Sequence, residues 1–140
     1  MKRILCLLLL LGLLLPGCSQ SPEKAMDLKE VPSHDITAIH LTNCHNGKVT
    51  VIRDSEDIAK ILTFLQSFRG FGGHSGKGYY EGSYSLALFQ GQTEVFSMAF
   101  GDSDCFFYGK EADGYPVRYL LEQGSVDKVI AFFSVFDESL

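Results

Sequence analysis

Residues 4–15 are an almost unbroken apolar run, and from residue 36 onward apolar and polar positions alternate with two different periods. Over residues 36–44 the period is two. Ile39 and Leu41 fall on one face and Ala38, His40, Thr42 and Cys44 on the other, which predicts a strand. Asn46-Gly47 follows, a dipeptide suited to a type I′ turn, whose two central residues both take positive φ. Residues 48–53 then read as the returning strand of a hairpin, with Val49 and Val51 on one face. The period next lengthens to that of a helix: Ile58, Ile61, Leu62, Leu65 and Phe68 form one stripe. Asp54 can cap this helix, and Glu56 and Asp57 fill a first turn where the helix dipole favours acids. Gly70 is placed to stop it in the left-handed conformation.

Residues 70–83 carry glycines at 70, 72, 73, 76, 78 and 82 and read as a long loop. Four short strands are expected beyond it. Tyr84, Leu86 and Leu88 share a face of the first, and Phe96, Met98 and Phe100 share a face of the second. Residues 104–108 form the third, and residues 115–121 the fourth, with Val117 and Tyr119 aligned. Pro116 marks an edge strand or the start of a strand. Ser125 is placed to cap a closing helix with Val126, Val129, Ile130 and Phe133 as its stripe. Strands joined by short turns pair antiparallel, and helices with one apolar face must cover them. The expected fold is α+β: hairpin, helix, four-strand meander, helix, with both helices on one face of the sheet. It fills a single domain over residues 35–140. The same element order is similar to the TATA-box-binding-protein-like arrangement, which as an analogy of fold implies no function.

Lys2 and Arg3 precede the apolar run, whose twelve residues are too few to span a bilayer and match the core of a signal peptide. The run closes on Leu15-Pro16-Gly17-Cys18. This segment resembles the lipobox of bacterial lipoproteins, departing from it at Pro16, where the pattern has a small residue. The resemblance implies that residues 1–17 are removed and that Cys18, bearing a diacylglycerol, becomes the N-terminus. The chain would then be lipid-anchored on the extracytoplasmic face of the cell membrane. Residues 18–34 are polar, contain Pro22 and Pro32, and read as the lipidated cysteine and a flexible tether. Two acyl chains hold a protein stably on a membrane where one does not. Three stretches also resemble a group of small, uncharacterised lipoproteins of monoderm bacteria. They are Ile36-Thr37-Ala38-Ile39-His40-Leu41, Arg53-Asp54-Ser55-Glu56-Asp57-Ile58 and Gly114-Tyr115-Pro116-Val117-Arg118-Tyr119. No activity follows from that likeness.

Loss of Lys2 and Arg3 with the leader takes the net charge from −5 to −7. An acidic domain gains nothing from counterion release on a polyphosphate, so nucleic acid is excluded as a partner class. The expected partners are the membrane, through Cys18, and a protein or peptide. Cys44 and Cys105 are a candidate disulfide, permitted by an oxidising compartment, and closure of so long a loop would stabilise by about 4 kcal/mol. A thiol-redox or metal-sensing role would use these two cysteines with His40, His45 and His74. However, His40 and Cys44 lie about 13 Å apart along one strand, too far to share one ion. Phe71, His74, Lys77, Tyr79 and Tyr80 make the glycine-rich stretch a candidate ligand loop, or the cover of a hydrolase site. Its Gly76-Lys77-Gly78 lacks the Ser or Thr of a phosphate-binding loop and follows a helix instead of preceding one. With no nucleophile elbow, metal signature or calcium loop, neither catalysis nor a cofactor is called for. Phe106, Phe107, Tyr108, Tyr115, Tyr119, Phe132, Phe133 and Phe136 divide between core and a candidate aromatic docking patch. The function expected is that of a non-catalytic binding module.

Overall fold

A computed structural model describes residues 24–75 and 82–137; Cys18, Lys77, Tyr79 and Tyr80 lie outside the described residues. The chain runs through β1 (Met26–Asp27), a 3-10 turn (Leu28–Glu30), β2 (Ala38–Asn43), β3 (Val49–Ile52), α1 (Ser55–Leu65) and β4 (Arg69–Ser75). It continues through β5 (Gly82–Gln90), β6 (Thr93–Gly101), β7 (Cys105–Lys110), β8 (Pro116–Leu120) and α2 (Ser125–Asp137). The eight strands form one sheet in the order β1-β4-β8-β7-β6-β5-β2-β3, with every neighbouring pair antiparallel. The class is α+β, but five strands follow α1 where four were expected.

The additional strand is β4, built from residues that read as the start of a loop. Gly70 is part of this strand and does not stop α1, which ends at Leu65 with Gln66 as its cap. A Cβ on Gly70 would lie 2.5 Å from Phe106 Cε1 and 2.5 Å from Tyr119 Cβ, so only glycine lets the backbone come this close to those side chains. In sequence, a glycine needed for close packing looks the same as one needed for a turn. Pro116 is the first residue of β8, which is flanked by β4 and β7 and is not an edge.

The opening hairpin pairs Ile39 with Ile52 and Leu41 with Thr50. Its turn is wider than type I′, since Gly47 takes positive φ (73°) and Asn46 does not. Asn side chains complete it. Asn43 Oδ1 accepts from the His45 N–H, and Asn46 Oδ1 from the Lys48 N–H. Val49 and Val51 share a face, but that face is exposed, and β3 gives Ile52 to the core.

One core lies between the sheet and the helices. β2 contributes Ile39 and Leu41, β5 contributes Tyr84, Leu86 and Leu88, and β6 contributes Phe96, Met98 and Phe100. Ile58, Ile61, Leu62 and Leu65 of α1 and Val129 and Phe133 of α2 close over them. The helices meet through Phe64 and Phe132, stacked with ring centres 3.9 Å apart. The expected tether joins this core from Lys24 onward: Leu28 is wholly buried and Val31 nearly so. Too short to show a period, these two apolar residues still anchor the segment, because burying one such side chain stabilises by about 1.5–3 kcal/mol.

The start of α2 also differs from expectation. The Ser125 hydroxyl donates backward to Glu122 O (2.6 Å), and the capping acceptor is Asp104, in the β6–β7 connection, twenty residues before Gly124. Its carboxylate accepts from the Val126 N–H (2.8 Å) and the Gly124 N–H (2.9 Å). Those two bonds hold the Asp104 carboxyl below the usual carboxylate range. The buried stripe is Val129 and Phe133, helped by Phe132 and Phe136, whereas Ile130 is exposed.

Two measurements check this packing. Leu28→Ala should lower unfolding stability by about 2–5 kcal/mol, the cost of a core cavity, as read by urea denaturation. A change within the range of a surface substitution would return the segment to the status of a tether. Asp104→Ala should be less stable than the parent at pH 7. A depressed carboxyl pKa contributes stability present above its unfolded value, about 3.9, and lost as pH falls through the folded value. The difference in melting temperature should therefore close on acidification below that value.

Candidate functional site

Side chains alternate along a strand, so the inward residues of β5 and β6 leave a second set pointing away from the helices. On β5 this set is Ser85 and Ala87, and on β6 it is Ser97 and Ala99. The register places Ser85 opposite Ala99 and Ala87 opposite Ser97. β2 extends the two rows with Thr42 opposite Ser85 and His40 opposite Ala87, and β7 sets Phe107 opposite Ala99. Small residues thus floor the middle of the outer face, and larger ones stand at its sides.

The result is an open trough with a volume of about 580 Å³. One wall carries His40, Val49 and Phe89, with the His40 and Phe89 rings 4.4 Å apart. The opposite wall carries Phe107, Lys110 and Pro116, and Glu94 lines the trough as well. Ser85, Ser97 and Thr42 offer hydroxyls that both donate and accept. Such a floor fits an extended polar chain better than a compact apolar ligand. A second cavity, about 540 Å³, is lined by Met26, Arg69, Phe96, Tyr108 and Tyr119 with the carboxylates of Asp27 and Glu30. Its aromatic rings are taken up in packing, since Phe96 stacks on Tyr108 at 4.9 Å and Tyr119 on Phe106 at 5.0 Å.

Several candidate residues are not brought together. Cys44 is exposed and Cys105 buried, and both are free thiols. Cys44 follows β2 while Cys105 begins β7, and β5 and β6 lie between those strands. Three strand spacings amount to about 14 Å, twice the Cα separation a disulfide tolerates. The candidate bridge is therefore not formed. Partial burial of its sulfur pushes the Cys44 thiol above its ordinary pKa; a hydrogen bond with Ser85 works against this and the Asp102 charge adds to it. Cys44 is a protonated thiol at neutral pH, the opposite of an activated nucleophile.

His45 Nε2 lies 3.1 Å from Asp102 Oδ1 on the surface, while His40 stands in the trough wall and His74 on β4. Among the described residues no three His, Cys, Asp or Glu side chains converge as metal ligands would. Of the glycine-rich stretch, Phe71 and His74 stand on β4, and Phe71 lies under the Arg69 guanidinium at 5.4 Å. Neither residue lines the trough or the second cavity. The expected aromatic patch is mostly interior: Phe106, Phe107 and Phe133 are buried, and Tyr115 is the one of that set with nearly half its surface exposed. Phe106 packs into the core against Phe100 and Tyr119, whereas Phe107, opposite Ala99, stands on the other face in the trough wall.

The trough was not foreseen from the sequence. Its signal was present in the run of Ser and Ala between the large apolar residues of β5 and β6, a polar face with no bulk on it. The register that sets those residues side by side is not written in either strand alone.

The thiols give a direct check. The folded domain should react with a thiol reagent once, slowly, at Cys44, and a second time at Cys105 only after denaturation. Rapid reaction of Cys44 at neutral pH, or no reactive thiol before reduction, would contradict the geometry. No protein-family model, curated protein or solved structure matches this chain.

Proposed function

We propose that the chain is a lipid-anchored binding domain on the extracytoplasmic face of the membrane, without catalysis of its own. The outer-face trough receives an extended segment of a protein or peptide partner. The observation that carries this reading is the shape of the trough: a floor of Ser85, Ala87, Ser97 and Ala99 between walls bearing His40, Phe89 and Phe107. A chain lying along β5 and β6 would present its polar groups to three hydroxyls and its side chains to the walls. The lipobox-like Leu15-Pro16-Gly17-Cys18 supports the anchor, and an acidic body favours no anionic polymer.

A thiol or metal sensor finds less support, because the thiols are far apart and Cys44 is held protonated. A hydrolase would need a nucleophile with an adjacent base. Ser85 and Ser97 stand opposite alanines across the β5–β6 ladder, and Thr42 stands opposite Ser85.

A photo-crosslinking residue at Ser97, in cells expressing the full chain, should give a discrete adduct. The adduct should disappear with Ala87→Trp, which fills the floor of the trough, while the melting temperature changes little. The same probe at Thr63, on the exposed side of α1, should capture nothing comparable. Equal capture at both positions, or an adduct indifferent to Ala87→Trp, would sink the proposal.

A further inference from the structure

We infer that the domain stands on the membrane in one orientation, with Lys24 and the loop of residues 111–115 against the lipid and the turn of residues 44–47 directed away. This rests on the lipid anchor proposed above. Its basis is the point at which the chain enters the fold. The Gly73 N–H bonds to Lys24 O at 3.0 Å, and β1 pairs with β4 immediately afterward. The Lys24 ammonium pairs with Glu111, and Ser75 Oγ donates to Asp113 at 2.9 Å. The entry point is thereby tied to both β4 and the β7–β8 connection.

From Cys18 to Lys24 there are six Cα steps, which reach at most about 22 Å even when fully extended. A folded body of this size has a radius of gyration near 13 Å, hence a diameter of about 34 Å. The leash is shorter than the body is wide. A lipid chain on Cys18 therefore holds the Lys24 side at the bilayer and leaves too little chain for free tumbling. His45 of the β2–β3 turn meets Asp102 in the β6–β7 connection, and β7 runs from that connection to the 111–115 loop held by Lys24, so the turn, with Cys44, is at the other end of the strands from the leash.

The chemistry of the near side suits a lipid surface. Tyr115 is 46 % exposed in the loop that Lys24 grips, an aromatic body with a polar tip, the kind of side chain that settles at the headgroup level. Of the two acids in this loop, Glu111 is matched by Lys24 and Asp113 accepts from the Ser75 hydroxyl. The rest of the acidic body is disfavoured at an anionic leaflet, which limits contact to this side.

The test uses the full lipidated chain in phosphatidylcholine vesicles carrying a headgroup quencher. One preparation is dye-labelled at the exposed native Cys44. A second is labelled at Ala112→Cys, an exposed loop position, in a Cys44→Ser background. Quenching should be several-fold greater at residue 112. Inserting about 20 Gly and Ser residues between Ser21 and Pro22 should remove the difference, because the leash then spans the body. Co-flotation with vesicles that is lost in Cys18→Ala verifies the anchor. Flotation with equal quenching, or stronger quenching at Cys44, overturns the orientation alone. Failure to float overturns the anchor and the orientation together.

Discussion

The antiparallel pairing of β5 and β6 is the constraint from which most of the molecule follows. These two nine-residue strands supply Tyr84, Leu86, Leu88, Phe96, Met98 and Phe100 to one side and almost nothing bulky to the other. The large set needs a cover, and α1 and α2 provide it through Ile61, Leu65, Val129 and Phe133. The small set leaves the trough. A single alternation therefore determines both the core and the surface proposed to bind, and a register slip of one residue would exchange them.

Around this pair the remaining elements are fixed by specific contacts more than by propensity. β2 and β3 extend the sheet on one side, and β7, β8, β4 and β1 on the other. Distant pairs then tie the ends. Lys48 reaches the last described residue, with its ammonium donating to Asp137 O at 2.5 Å, and Asn43 Nδ2 donates to Asp137 Oδ2 at 2.5 Å. These bonds hold the C-terminal end of α2 to the opening hairpin. They also satisfy carbonyl and carboxylate groups at the helix end that would otherwise need water.

What could be read in the sequence was what depends on local period. The α1 stripe from Ile58 to Leu65, its Asp54 cap and the inward residues of β2, β5 and β6 all follow from alternation or helical spacing and are found in place, whereas Phe68, read into the same stripe, is buried beyond the end of α1. What could not be read depends on residues far apart in the chain. Gly70 looked like a stop because the side chains of Phe106 and Tyr119 that require it are 36 and 49 residues further on. Ser125 looked like a cap because Asp104, the actual acceptor, is nowhere near it in sequence. Leu28 and Val31 were too few to show a period, though their burial needs none. The trough was half legible: the small residues could be seen, and the ladder that aligns them could not.

The cap on α2 makes the order of assembly asymmetric. An isolated stretch that begins Gly-Ser-Val and contains three phenylalanines is a poor nucleus for a helix, because the Gly124 and Val126 amide groups take their acceptor from Asp104, outside it. Asp104 reaches them only when the β6–β7 bend has formed, so this helix waits for strands already made. Helical signal from residues 125–137 would then report that the sheet has closed, giving one spectroscopic handle on the completion of the whole body.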